Sequence, residues 1–234
     1  MRTISAADLL ALWERGASRH PLDRSALLYT CARPDQPTDA IADLRLGEIN
    51  RRLLELRAAW FGDRIDAHVD CEHCGERLGL TIAVHELIRP ANDSQPGEVT
   101  VADLRCRPPS LRDLAAIAGE RDGVRAAHRL LARCLLEGND SVAVDDERLR
   151  EVEDALEAID PDADFAFDVR CEACGQSGTA QLDPGTLLWD DVSARARALL
   201  GEVHQLACAY GWSEQHILAL TPERRASYLS MVAP

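Results

Sequence analysis

Apolar residues recur at intervals of three and four near both ends of the chain, which is the spacing that places them on one face of a helix. In the segment 46–61, Ile49, Leu53 and Leu56 share such a face, and Gly62 follows where a helix would end. Further helices are predicted over residues 5–16, 23–31, 111–159, 184–210, from 213 and from 221, with a loop at 33–39 and breaks near 119–123 and 138–141.

Between these helical blocks the apolar pattern changes to alternation, which is typical of short strands with one buried face. Strands are predicted over residues 64–70, 77–84, 99–106, 164–170 and 177–182. Two strand pairs flank a CxxCG sequence, at Cys71–Gly75 and at Cys171–Gly175, so VDCEHCGERLGLTI and VRCEACGQSGTAQL are copies of one unit. We call each strand–CxxCG–strand unit a knuckle. A loop rich in proline and polar residues at 90–98 follows the first knuckle.

These patterns predict an α+β chain that is mainly helical. N- and C-terminal helices surround a four-cysteine zinc ribbon made of the two distant knuckles, with a helical insertion between them. The expected regions are 1–63 (N-terminal helices), 64–90 (first zinc knuckle), 91–163 (inserted strand and helices), 164–183 (second zinc knuckle) and 184–234 (C-terminal helices).

The last long helix carries an apolar seam with alternating intervals of four and three. Its members are Val192, Ala196, Leu199, Val203, Leu206 and Tyr210. A seam of this kind buries against a neighbouring element. It predicts either a docking surface for a partner protein or core within the chain itself, and the sequence leaves both interpretations open.

The cysteine spacing predicts a metal site. A two-residue gap lets both thiolates of a CxxC pair reach one ion, and the glycine that follows turns the backbone beneath the sulfurs. One knuckle supplies two ligands, whereas a structural zinc ion takes four. We therefore expect one Zn²⁺ bound by Cys71, Cys74, Cys171 and Cys174, although 96 residues separate Cys74 from Cys171.

Other interpretations of the cysteines remain. Each CxxC pair is also the pattern of a thiol redox enzyme, although redox pairs usually precede a helix rather than a strand. A separate ion in each knuckle is a further alternative, since His68, His73 and His85 surround the first pair, but the second pair has no nearby histidine. The isolated cysteines are expected to be small buried hydrophobic residues; they are Cys31, Cys106, Cys134 and Cys208.

Composition narrows the choice of partner. Of 234 residues, 46% are hydrophobic and 28% charged, as in an ordinary globular chain. The net charge is −14 and every basic residue other than histidine is arginine. Acidic residues also outnumber arginines beside the cysteines. This balance disfavours a nucleic-acid or membrane surface, so a zinc-ribbon regulator that binds nucleic acid is the weaker alternative.

Catalysis and export are both disfavoured by the sequence. We find no Walker loop, GxGxxG, GxSxG or HExxH sequence, and the acidic run of Glu151, Glu153, Asp154 and Glu157 is expected to be a solvated helix face. The segment Met1–Glu14 lacks the apolar stretch of a signal peptide, and no window is long and apolar enough to span a membrane. A cytoplasmic, non-enzymatic protein is therefore expected.

The order of several segments resembles a known family. The segments are LLALWERGASRHPLDRSALL, LLELRAAWFG, the two knuckles and the C-terminal AYGWSEQHILALTPERRASYL. Together they resemble the zinc-ribbon-containing baseplate proteins of phage-like contractile injection systems, relatives of the baseplate hub assembly chaperone of T-even-type contractile phages. The most specific residues of the C-terminal segment are Tyr210, Gly211, Trp212, Ile217, Leu220, Arg224, Arg225 and Tyr228.

The resemblance implies a structural or assembly role in the baseplate of a contractile particle. The expected partners are baseplate, hub or tube proteins, and the expected location is the cytoplasmic assembly site or the particle itself. The resemblance leaves open whether the protein stays in the particle or departs as a chaperone.

Overall fold

The structure is a computed structural model that describes residues 4–88, 97–136 and 145–232. Its helices are α1 (Ala6–Gly16), α2 (Pro21–Ala32), α3 (Thr38–Ala42), α4 (Leu46–Phe61), α5 (Val84–Leu87), α6 (Leu111–Ile117), α7 (Gly123–Cys134), α8 (Asp146–Ile159), α9 (Pro184–Tyr210), α10 (Glu214–Leu218) and α11 (Pro222–Val232). Its strands are β1 (Arg64–Asp70), β2 (Arg77–Ala83), β3 (Val99–Val101), β4 (Leu104–Cys106), β5 (Ala166–Arg170) and β6 (Ser177–Gln181). The prediction of a mainly helical chain with small sheets is confirmed.

Helix α9 lies at the centre of the helical part and contacts α1, α2, α4, α10 and α11. The Asp183 carboxylate accepts the N–H of Thr186 at its start, and Gly211 takes a left-handed conformation at its end. The helices from the two ends of the chain therefore share one hydrophobic core, whose fully buried members include Leu28, Leu53 and Leu188.

The apolar seam of α9 is part of this core. Val192, Ala196, Leu199 and Leu206 are buried within the chain, and only Tyr210 at the end of the helix is exposed. The interpretation of the seam as a docking surface is therefore wrong. Val192, Ala196 and Leu199 pack with the N-terminal helices in the shared core, which removes this part of the stripe from water.

The C-terminal residues named in the family resemblance pack mostly on one another. Tyr210 stacks on Trp212 with ring centroids 4.7 Å apart, and the edge of Tyr228 meets Trp212 at 4.8 Å. Ile217 is fully buried. The buried Arg225 guanidinium donates to Glu202 at 2.8 Å, which ties α11 to α9. These residues therefore hold α10 and α11 against α9.

Each knuckle is a two-stranded antiparallel hairpin. In the first, β1 pairs with β2 from Arg64 opposite Ala83 to Asp70 opposite Arg77. In the second, β5 pairs with β6 over a shorter span. A separate hydrophobic cluster, which includes Leu54 of α4, Ile65 of β1 and Phe165 just before β5, joins the bases of both hairpins.

The inserted region differs from its prediction in one strand. Residues 99–106 form a hairpin, β3–β4, rather than a single strand, because the chain reverses at Ala102, which has a φ of +52°. The long helical block 111–159 contains α6, α7 and α8, and the predicted break at 138–141 lies outside the described residues. The hairpin packs with α7 and α8 in a third core.

One smaller prediction also changes. The predicted loop 33–39 ends earlier, because α3 begins at Thr38. Of the described helices, none combines the length and hydrophobicity needed to cross a membrane.

Arg57 connects the helical core to the first knuckle. Its side chain is 8% exposed. It donates to Asp191 of α9 at 2.9 Å and to the carbonyl oxygens of Gly62 and Arg64 at 2.7 Å each. The same guanidinium therefore donates hydrogen bonds to a carbonyl oxygen at the end of α4, to one at the start of β1 and to a carboxylate on α9.

We expect the Arg57→Met substitution to lower the free energy of unfolding by about 2–3 kcal/mol, because it leaves two partly buried carbonyl oxygens and the Asp191 carboxylate without their shared donor. Urea denaturation followed by circular dichroism measures this change. Arg64→Met is the matched control, since the Arg64–Asp66 pair is exposed and its loss should change the free energy by less than about 0.5 kcal/mol. Equal effects of the two substitutions would contradict the role assigned to Arg57.

Candidate metal centre

The two CxxCG turns have the same backbone geometry. The Cys71 N–H donates to Glu76 O and the Gly75 N–H donates to Cys71 O, both at 2.8 Å. The second knuckle repeats both bonds at the same distances, from Cys171 and Gly175. Gly75 and Gly175 have φ values of +73° and +74°, a conformation that favours glycine over residues with a Cβ. The repeat seen in the sequence is therefore a repeat in structure.

The two turns bring all four predicted cysteine ligands together. The Sγ atoms of Cys71, Cys74, Cys171 and Cys174 all lie within 4.8 Å of one another. Cys71 Sγ is 3.7 Å from Cys174 Sγ, and Cys74 Sγ is 3.7 Å from Cys171 Sγ. A disulfide would require about 2.05 Å, so these contacts are not covalent bonds. Four cysteines from segments far apart in the chain thus form one cluster that can hold a metal ion.

Two of the sulfur separations match the edge of a tetrahedral thiolate site. When a metal–sulfur bond is about 2.3 Å long, two ligands at the tetrahedral angle lie about 3.8 Å apart. The Cys71–Cys174 and Cys74–Cys171 contacts between the knuckles are 3.7 Å long. These two edges already fit an ion of that size, and the remaining sulfur pairs lie within 4.8 Å.

The surroundings of the cluster shift the pKa values of the two thiols of the first knuckle in opposite directions. The backbone N–H groups of Cys74 and then His73 donate to Cys71 and lower its pKa to about 6. The Glu76 N–H lowers the pKa of Cys74, but the neighbouring sulfurs, led by Cys174, and desolvation raise it to about 12. Four adjacent thiols cannot all ionise without a compensating cation, and a bound divalent ion would supply that charge.

Burial of the cluster is uneven. Cys171 is 1% exposed, whereas Cys74 and Cys174 are exposed at the tip of the hairpins. An ion held by all four sulfurs would have no position left for water or substrate, which is the arrangement of a structural site rather than a catalytic one.

The histidines considered as alternative ligands lie outside the cluster. Within the described residues, the group that can hold a metal contains four cysteines and no histidine. His85 Nδ1 instead lies 2.6 Å from Asp63 Oδ2, and this contact raises the pKa of His85. The arrangement favours one site shared by both knuckles over a separate site in each.

The four remaining cysteines divide into two pairs. Cys106 and Cys134 are buried, as predicted, and Cys106 belongs to the third core. The prediction is wrong for Cys31 and Cys208, which are exposed. Cys31 lies in the last turn of α2 and Cys208 in the last turn of α9. Neither is among the buried residues of its helix.

One feature of the acidic run on α8 was not predicted from the sequence. Glu153 and Glu157 line a groove, whereas Glu151 and Asp154 of the same helix do not. Their spacing of four residues places both carboxylates on one side of α8, a pattern that was available in the sequence.

Comparison with protein-family models, curated proteins and solved structures finds no significant match to this chain.

Proposed function

We propose that the four clustered cysteines bind one structural Zn²⁺ and that the two knuckles are halves of a single zinc ribbon. The observation that carries this proposal is the pair of 3.7 Å sulfur contacts between the knuckles, which equal the edge of a tetrahedral zinc–thiolate site within about 0.1 Å. Zinc suits the donor set because it prefers four thiolates and needs no redox change.

The bound ion would stabilise the fold by joining distant parts of the chain. Cys74 and Cys171 enclose the whole inserted region, with 96 residues between them. Closing a loop of this length restricts the unfolded chain, and the binding free energy of the metal adds to the stability of the folded state. The ribbon thus fixes where the insertion leaves and rejoins the helical core.

We further propose that the protein is a non-enzymatic structural or assembly component of the baseplate of a contractile phage tail or phage-like injection system. The order of the sequence segments that resemble that family supports this role. A metal site without an open position is consistent with a structural role. The proposed partners are the baseplate, hub or tube proteins of the particle.

Nucleic-acid binding by the ribbon is the weaker candidate. The cleft between the knuckles has a volume of about 730 Å³ and is lined by two arginines, Arg77 and Arg170. Three acidic residues, Glu76, Asp168 and Glu172, line the same cleft. This balance opposes binding to a phosphate backbone.

We expect purified protein to contain one zinc ion per chain by mass spectrometry, and the Cys171→Ser variant to lose it, because the substitution removes the buried thiolate ligand. Cys208→Ser is the matched control, since Cys208 is exposed and lies outside the cluster. Two ions per chain would contradict the shared site. A metal-free protein whose CxxC pairs cycle between dithiol and disulfide would support the redox alternative instead.

We expect the tagged protein to co-purify with at least one hub, tube or baseplate protein when it is co-expressed with those proteins from the same genome. Size-exclusion chromatography measures the complex, and a sheath protein tagged in the same way serves as the reference for non-specific capture. Elution of the protein alone in every combination, together with binding to DNA at low salt, would contradict the baseplate proposal and favour the nucleic-acid alternative.

A further inference from the structure

A groove beside the second knuckle combines an apolar floor with an acidic rim. It has a volume of about 680 Å³. The apolar side chains of its floor come from α5, α7, α8 and the start of β5; they are Leu87, Leu130, Leu156, Phe165 and Phe167. The exposed acidic residues of its rim are Glu86, Glu153, Glu157 and Asp164. We call it the acidic groove.

Three of the rim carboxylates have no partner in the described part of the chain. Glu153, Glu157 and Asp164 make no hydrogen bond or ion pair with the described residues, whereas exposed acids elsewhere do, as in the pair of Asp43 with Arg112. Unpaired carboxylates gathered around one opening create a local negative potential that attracts cationic groups.

The charged residues that line the groove are all acidic. Within the described residues, its lining includes no arginine or histidine, and Asp160 adds a further carboxylate at its inner side. An occupant must therefore cover apolar side chains and supply positive charge at the same time. An anionic lipid surface fails the second requirement, and a small inorganic cation fails the first.

The spacing of two rim carboxylates favours a helical occupant. Glu153 and Glu157 are one helical turn apart on α8, so they can pair with two basic side chains spaced at a similar interval on a facing helix. We propose that the acidic groove is a docking site for an amphipathic helix of a partner protein, with apolar residues on one face and arginine or lysine beside it. This inference is independent of both the zinc site and the baseplate role.

A designed peptide tests the proposal by fluorescence anisotropy with the full-length protein. The probe is a labelled peptide of about four helical turns that carries leucines on one face and arginines on the other. Its two comparison peptides replace arginine by glutamate, or keep the composition while distributing the leucines around the helix. We expect the first peptide to bind and both comparison peptides to bind at least about tenfold more weakly.

Two matched protein variants distinguish binding at the groove from attraction by the overall negative charge of the protein. Glu153→Gln with Glu157→Gln removes two rim carboxylates, and Glu151→Gln with Asp154→Asn removes two carboxylates from the same helix outside the groove. We expect the first pair of substitutions to lower the affinity for the peptide by about tenfold and the second pair to lower it by less than about twofold. Circular dichroism confirms that both variants retain the fold.

Several outcomes would overturn the proposal. An equal loss of affinity in both double variants would mean that the peptide senses only the net charge of the protein. Equal binding of the peptide with distributed leucines, or no binding of any peptide, would exclude an amphipathic helix as the occupant. Self-association that disappears in the Glu153→Gln, Glu157→Gln variant would assign the groove to a second copy of this chain.

Discussion

Contact between the sulfurs of two hairpin turns is the constraint on which the arrangement of this chain depends. Cys71 and Cys74 belong to a segment that follows the N-terminal helices, and Cys171 and Cys174 belong to one that precedes the long helix α9. Four thiols at such distances are unfavourable as anions without a cation between them. The proposed tetrahedral zinc ion would relieve that repulsion, because each thiolate would be attracted to the cation, and it would join the two hairpins.

The bases of the hairpins are held by different forces. Leu54, Ile65 and Phe165 bring the helical core and both knuckles into one apolar cluster. Arg57 adds a polar connection from α4 to the start of β1 and to α9. The sulfur cluster at the tips and the apolar cluster at the bases therefore restrain each hairpin at both ends, so that the inserted region begins and ends at fixed positions.

Features set by local chemistry were predictable from the sequence. The helix starts at Ser5 and Asp183, the helix ends at Gly62 and Gly211, and the two CxxCG turns all depend on residues within a few positions of one another. The convergence of the four cysteines was also predictable, because a two-ligand knuckle is incomplete as a zinc site and its repeat supplies the missing ligands.

Features set by tertiary packing were not predictable in the same way. The seam of α9 fits a partner protein and the chain's own helices equally well, and only the fold shows that Val192 and Leu199 face the N-terminal helices. Periodicity likewise cannot reveal that Arg57 lies in the interior with three acceptors, or that Glu153 and Glu157 border an apolar groove. In each case the surroundings of the side chain include residues that are remote in the sequence, such as Asp191 beside Arg57.

X-ray absorption at the zinc edge of the purified, zinc-loaded protein tests the central claim most directly, because it reports the identity and distance of the ligands. The account predicts four sulfur ligands at about 2.3 Å and no nitrogen or oxygen ligand. A site with two sulfurs completed by nitrogen or oxygen would show that each knuckle binds its own ion, and would contradict a single ion shared by Cys71, Cys74, Cys171 and Cys174.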